Sequence, residues 1–302
     1  MASQLNLFKN AAVVIGSINM DISGRPADEL LAGDSNPGTV RLSPGGVGRN
    51  IAHDLMLLGM KVSFVTALGD DLLGLSLMHE CLELGLDMSR ALVVPGGHSS
   101  TYLYVSRKDG DLLAAVNDMD ICEKLSPDYL EPLLPQLRDY GAMVIDANLP
   151  AASIDSICRL ARIPLYADAV SAAKAPRLRP YLKTLRVLKA NAAEAMAITE
   201  EKDAERAARR LARLCRGRVF VSLGAEGMFA AERDRLIYLP VYETEVVSTN
   251  GAGDAATAAA VWADLNGLDL EASAQFAQFA GSVTCRSEKA NSPDLAALPH
   301  LL

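Results

Sequence analysis

The sequence predicts an α/β fold, a mainly parallel sheet flanked by helices on both faces with a small β-sheet lid, from three observations. Short apolar runs alternate with helix-like stretches, the rhythm of strands joined by right-handed helical crossovers. The runs are almost continuously apolar, as strands buried on both faces must be. Two segments, 21–43 and 93–120, break the rhythm with turn residues and strand-like pieces.

In chain order, strands are expected over 11–16, 62–68, 142–148, 165–170, 187–191 and 218–224. Helices are expected over 48–59, 72–85, 126–139, 151–162 and 203–216. The first of these carries apolar residues at 51, 55 and 58, a stripe on one helix face, and Gly59 stands where it would stop. Residues 99–106 and 112–116 flank Lys108, Asp109 and Gly110, which reads as a hairpin. The stretch 21–43 holds Gly24, Pro26, Gly33, Pro37 and Gly38, and with 93–120 is assigned to the lid. Half of the 302 residues are hydrophobic, enough for one large core, and a single domain over 1–302 is expected.

The formal net charge is −8, and no basic run exceeds a few residues. That disfavours nucleic acid or an anionic membrane as a partner. The arginine-rich stretch (Arg206, Arg209, Arg210, Arg213, Arg216) reads as the solvated face of a helix. Five cysteines, at 81, 122, 158, 215 and 285, show no C-x-x-C spacing and read as reduced thiols of a cytoplasmic protein. Residues 1–10 do not have the pattern of a signal peptide, and no apolar run reaches 18 residues.

The chemistry concentrates in Ser248-Thr249-Asn250-Gly251-Ala252-Gly253-Asp254, which runs into the helix-like stretch 255–262. Glycines before a helix leave backbone N–H groups free to meet an anion, and the helix dipole adds a positive end there. An acid in that first turn suits a phosphotransferase: Asp254 would deprotonate the attacking hydroxyl, and Gly251, Ala252 and Gly253 would donate to the transferring phosphoryl group. The plainer reading is a Gly-rich loop with an acidic helix cap. A second stretch, Ser43-Pro44-Gly45-Gly46-Val47-Gly48-Arg49-Asn50, leads into the helix expected at 48–59. Its glycines would bring backbone amides against a polyhydroxy ligand, and Asn50 offers a side-chain amide. The spacing of Gly45, Gly46 and Gly48 does not fit G-x-G-x-x-G, which disfavours a dinucleotide-binding loop.

Together these stretches resemble the two signature segments of the ribokinase-like (PfkB) family of sugar and nucleoside kinases. Gly16-Ser17-Ile18-Asn19-Met20-Asp21 resembles the family's substrate-hydroxyl segment. Lys189-Ala190-Asn191-Ala192-Ala193-Glu194 resembles its K-P-N-x-x-E segment, with Ala190 in place of the proline. Ser222-Leu223-Gly224-Ala225-Glu226-Gly227 resembles its S-L-G-x-x-G turn on the nucleotide side. Within the family, Val47, residues 100–103 and 117–119, and the segment 168–174 resemble the branch that acts on pseudouridine. Ser248 stands where many members place an Asp near a monovalent-cation site, so K⁺ is left unassigned.

The resemblance implies an ATP- and Mg²⁺-dependent transfer of a phosphoryl group to the 5′-hydroxyl of a ribosyl compound. Pseudouridine is the first expectation; ribose, another nucleoside or fructose are the alternatives. It places Asn19, Asp21, Gly45, Gly46 and Asn50 around the substrate hydroxyls. Arg49, Thr101 and Asn117 are further candidate contacts, while Val47 and Met119 would face a base. Asn191, Gly224 and Gly227 would meet the nucleotide, and Glu194 would hold Mg²⁺ through its water. Asn191 and Glu194, three residues apart, equally suit a helix cap. A homodimer through the lid is expected, because dimers are common in the family and lid edges could pair. A catalytically silent nucleoside-binding protein on the same fold is the reading from another class. Retention of Asp254, Glu194 and both Gly stretches weighs against it.

Overall fold

The computed structural model describes residues 10–109 and 111–301. The expectations for residues 1–9 and for Gly110 at the hairpin tip lie outside them. Strand β1 (Ala11–Ile15) runs out into the lid as β2 (Asn19–Pro26) and β3 (Gly38–Gly45), and α1 (Val47–Leu57) brings the chain back to β4 (Lys61–Val65). A short β5 (Ala67–Gly69), α2 (Leu72–Glu83) and β6 (Leu92–Val94) precede the second lid pair, β7 (Thr101–Ser106) and β8 (Leu112–Asp118). After α3 (Pro127–Leu130) come β9 (Ala142–Asp146), α4 (Ala151–Leu160), β10 (Leu165–Asp168) and β11 (Leu185–Asn191). Helices α5 (Ala192–Thr199) and α6 (Ala204–Leu214) lead to β12 (Arg218–Ser222), β13 (Met228–Glu232) and β14 (Arg235–Leu239). Helices α7 (Ala252–Leu265) and α8 (Leu270–Cys285) follow.

Eight strands form the main sheet in the order β14-β13-β12-β11-β10-β9-β1-β4. From β12 to β4 neighbours are parallel, while β13 and β14 add an antiparallel edge. Successive side chains of a strand point to opposite faces. Ala12 and Val14 therefore join one buried layer with α1, α7 and α8, while Val13 and Ile15 join the other with α4, α5 and α6. Both faces are buried, which is why the strands carry almost unbroken apolar runs.

The expected lid is a separate four-stranded sheet, β3-β2-β7-β8. Two expectations of local structure change. The helix expected over 126–139 is instead α3 followed by a 3₁₀ turn over Leu134–Leu137, because Pro132 and Pro135 cannot donate to an α-helical ladder. The hairpin β13-β14 was not foreseen: its turn residues, Arg233 and Asp234, carry none of the glycine or Asn-Gly signals that mark a tight turn. Arg206, Arg209, Arg210, Arg213 and Arg216 lie exposed on and just after α6, and Arg209 pairs with Glu205 at 2.8 Å, so this face is a solvated one.

The chain leaves β1 toward β4 on one side and returns to β9 on the other. In an open α/β sheet such a reversal opens a crevice at the carboxyl ends of the strands, the favoured place for a ligand. The lid stands over that crevice.

Candidate active site

Helix α7 begins at this edge. Its N-cap, Gly251, has φ +78°, and a Cβ there would run into the carbonyl oxygen of Ala290. Only glycine lets the turn pass. Asp254 follows in the first turn, where Asn50 Nδ2 donates to its Oδ2 at 2.8 Å. Asn50 arrives there because Gly48 is bare: a Cβ on it would sit 2.8 Å from the Gly16 backbone, so the start of α1 rests directly on the end of β1. Burial and then the nearby Asp168 carboxylate push the Asp254 carboxyl up to about 7, against the Asn50 hydrogen bond and the Lys189 charge.

A cavity of 840 Å³ opens beside Asp254. Ser17, Asn19, Gly46, Asn50 and Asn148 line it from the sheet side, and residues 248–250 from the loop before α7. The lid contributes Asp21, Tyr102, Tyr104, Asn117 and Met119. Asn19 Nδ2 donates to Asp21 Oδ1 at 2.6 Å. Burial raises the Asp21 carboxyl above its ordinary value, with the Asn19 bond and Arg49 opposing. Gly45 makes room for it, since a Cβ there would lie 2.5 Å from the Asp21 carboxylate.

Thus Asn19, Asp21, Gly46, Asn50, Asn117 and Asp254 share one cavity, with Gly251, Ala252 and Gly253 at its edge. Arg49 and Thr101 do not line it. Arg49 turns inward, donating to Glu80 Oε1 at 2.7 Å and to Asn50 Oδ1 at 3.0 Å, so it steadies Asn50 from behind. Thr101 begins β7 on the side that alternation turns away from the cavity, while Tyr102 and Tyr104 take the facing positions.

The nucleotide-side candidates stand farther along the same edge. Asn191 ends β11 and caps α5: its Oδ1 accepts from Glu194 N at 2.9 Å, and Glu194 Oε2 accepts from Asn191 N at 2.8 Å. This is the reciprocal capping box that the spacing allowed. Burial first raises the Glu194 carboxyl, and Lys189 opposes. Gly224 and Gly227 turn the chain at the end of β12, both at positive φ, with Ser222 in register beside Asn191.

Other cavity groups escaped the sequence reading. Buried Asp146 accepts from the N–H and Oγ of Ser17, Ser17 Oγ accepts from Asn148 Nδ2 at 2.8 Å, and Lys174 Nζ donates to Asn148 Oδ1 at 2.6 Å. This chain runs from the end of β9 to an ammonium group on the cavity wall. Val170, also on that wall, has φ +64°. A β-branched residue is strained there by roughly 1–3 kcal/mol, and its N–H donates to Asp168 Oδ1 at 2.8 Å. Lys174 was within reach of the sequence, as it closes the 168–174 segment. Ser17 lies inside the 16–21 segment that resembles the substrate-hydroxyl segment, while Asn148 carried no signal beyond its place at the end of an expected strand.

Such a site can hold a hydroxyl against a carboxylate at the positive end of a helix, as alcohol phosphorylation requires. The pfkB family of carbohydrate kinases matches residues 9–297. The chain belongs to that family. As a pfkB kinase it is a sugar or nucleoside kinase, and phosphotransfer from ATP to a hydroxyl is the activity of the family. It is similar to the pseudouridine kinase of Escherichia coli K12, 33% identical over 95% of this chain and 94% of that one. It is equally similar to the uncharacterized sugar kinase YeiI of the same bacterium, 34% identical over 94% of this chain and 81% of that protein. A solved carbohydrate kinase from Agrobacterium tumefaciens superposes with a TM-score of 0.82 at 27% identity, covering 97% of this chain and 98% of its own. The ribokinase-like fold expected from the motifs is the fold observed. Among the described residues, no helix is long and apolar enough to cross a membrane.

Proposed function

We propose that this pfkB kinase transfers the γ-phosphoryl group of ATP to the 5′-hydroxyl of pseudouridine. The observation that carries this is the meeting of Asp254 and Asn50 at the start of α7, in one cavity with the Asn19–Asp21 pair. Asn19 and Asp21 suit the neighbouring hydroxyls of a ribosyl group. The aromatic and apolar lid side chains Tyr102, Tyr104, Leu112 and Met119 suit a flat base, and Lys174 at the cavity wall suits a carbonyl oxygen on it. A bare sugar would leave both unused. The similarity to the E. coli pseudouridine kinase supports the same choice.

In this mechanism Asp254 takes the proton of the attacking hydroxyl, and Asn50 holds the carboxylate in line. The backbone N–H groups of Gly251, Ala252 and Gly253 face the phosphoryl oxygens, fixed dipoles that suit charge spread over a loose transition state. Lid closure would exclude water, which otherwise competes as acceptor. The residues present fit Mg²⁺ brought in by the phosphates. Glu194 offers hard oxygen atoms already steadied by Asn191, and among the described residues no three His, Cys, Asp or Glu converge as a cage. Glu194 would touch such an ion through its water, and the bound ion would offset phosphate charge.

The test is ADP release with MgATP against pseudouridine, uridine, cytidine, adenosine, ribose and fructose, with Asp254→Asn as control. Turnover confined to pseudouridine and lost in the control is expected. Turnover on another substrate would keep the mechanism and replace the acceptor. Binding of nucleoside without ADP release would favour the silent-protein reading.

The outer face of the lid supports a homodimer. Leu42, Ile22, Leu103 and Val116 lie in one cross-strand row, and Leu42, Leu103 and Val116 are exposed. A second copy would cover that row.

A further inference from the structure

Lys189 is a buried lysine that the mechanism above does not use. It sits on β11 with its side chain 7% exposed, and its nearest charge is Asp168 Oδ2 at 3.9 Å. Among the described residues its ammonium makes no hydrogen bond. A charge held this deep in the protein, with Asp168 at 3.9 Å as its acidic neighbour, is costly unless further negative charge answers it. The Gly253 turn shows what it is aimed at. A Cβ on Gly253 would lie 2.6 Å from Lys189 Nζ, so the charge abuts the first turn of α7, directly under the anion-binding amides.

We propose that Lys189 is a positioning residue for phosphoryl transfer, the buried positive charge that balances the carboxylates gathered around Asp254. This rests on Asp254 being the base. The groups facing Asp254 come from four elements. Asp146 on β9 and Asp168 on β10 are both buried, Lys189 lies on β11, and α1 contributes Asn50 and the buried Asp54. Asp168 is itself fixed: its Oδ1 accepts from Val170 N and its Oδ2 from Thr257 Oγ1 at 2.6 Å, and Thr257 belongs to α7. Asp168 thus ties the sheet to the helix that carries the base, and Lys189 offsets its charge. Without the lysine, the buried Asp168 and Asp146 would oppose ionisation of Asp254 unanswered, and the base would stay protonated at neutral pH.

The test compares the pH dependence of kcat in the wild type, Lys189→Met, Lys189→Gln and Lys189→Met/Asp168→Asn. Asparagine at 168 can keep the bonds to Val170 and Thr257 while removing the charge, so the double variant also guards against a single variant that does not fold. In the neutral single variants the acid limb should move to higher pH by about one to two units, the range for loss of a close opposite charge. Turnover at pH 7 should fall roughly tenfold or more, since each unit is a factor of ten, with nucleoside KM within about twofold. The double variant should bring the limb back toward the wild-type position. A limb that stays put in the folded variants, a loss seated in KM, or a double variant displaced like the single ones would overturn the proposal alone. Full turnover by Asp254→Asn would overturn both it and the assignment of the base.

Discussion

At Asp254, burial and a like charge work against ionisation while Asn50 and Lys189 work for it. A general base with a pKa of about 7 is active only above that value. The kcat of the wild type is therefore expected to fall as pH drops through about 7, measured as ADP release from pH 5.5 to 9. Asp254→Asn removes the proposed base and keeps the shape, so turnover should drop by about 10²–10⁴-fold with no loss of melting temperature. A second buried acid makes an independent point. Asp54 Oδ1 accepts from Asn291 at 2.8 Å, but its Oδ2 has no partner among the described residues. Burial first, and Asp254 further, raise its pKa well above the ordinary value. A raised carboxyl binds its proton more tightly in the native state, so its contribution is fully present at acid pH and is lost as pH rises. Asp54→Asn should accordingly raise the melting temperature at pH 8 more than at pH 4. Equal gains at both would show that charge is not the cause.

Glycines set the end of α1 and the start of α7, for different physical reasons. At Gly251 the conformation is left-handed and the neighbouring Ala290 carbonyl fills the space of a side chain. At Gly59, after α1, φ is +84° but nothing lies within 4 Å of a Cβ. Gly59→Ala should therefore cost only conformational strain, about 1 kcal/mol, and leave kcat unchanged. Gly251→Ala should lower the melting temperature further and disable turnover, because relieving the clash with Ala290 must move the amides proposed to meet the phosphoryl group. Thermal melts and kcat of the two variants side by side decide this. Elements whose chemistry is local were legible in the sequence, α1 from its stripe and terminal glycine, β1 and β9 from their apolar runs. The β13-β14 hairpin was not, because pairing with β12 rather than turn chemistry holds it in place.

On the scale of the molecule, the sheet and the lid close on the site from two sides, and the lid's other face is left with an apolar row. Val116 is 69% exposed there and touches the row through Leu103. If a second copy covers this face, Val116→Asp should convert a dimer to a monomer by light scattering while the melting of the main sheet changes little. A monomeric wild type would remove the dimer.

The sequence by itself determined the class of fold and the lid segments, and it singled out two candidate site segments, Asn19–Asp21 and Gly251–Asp254. Those are encoded within a few consecutive residues, by periodicity, turn chemistry and the amides of a helix start. Only the tertiary structure decided which side chains face the cavity and which charges face each other. Arg49 turned away to Glu80, Thr101 fell on the far side of β7, and Asp146, Asp168 and Lys189 came up to Asp254 from strands far apart in the chain. Strand register and the close approach of Gly16 to Gly48 set those neighbours, and neither is written in any short stretch of sequence.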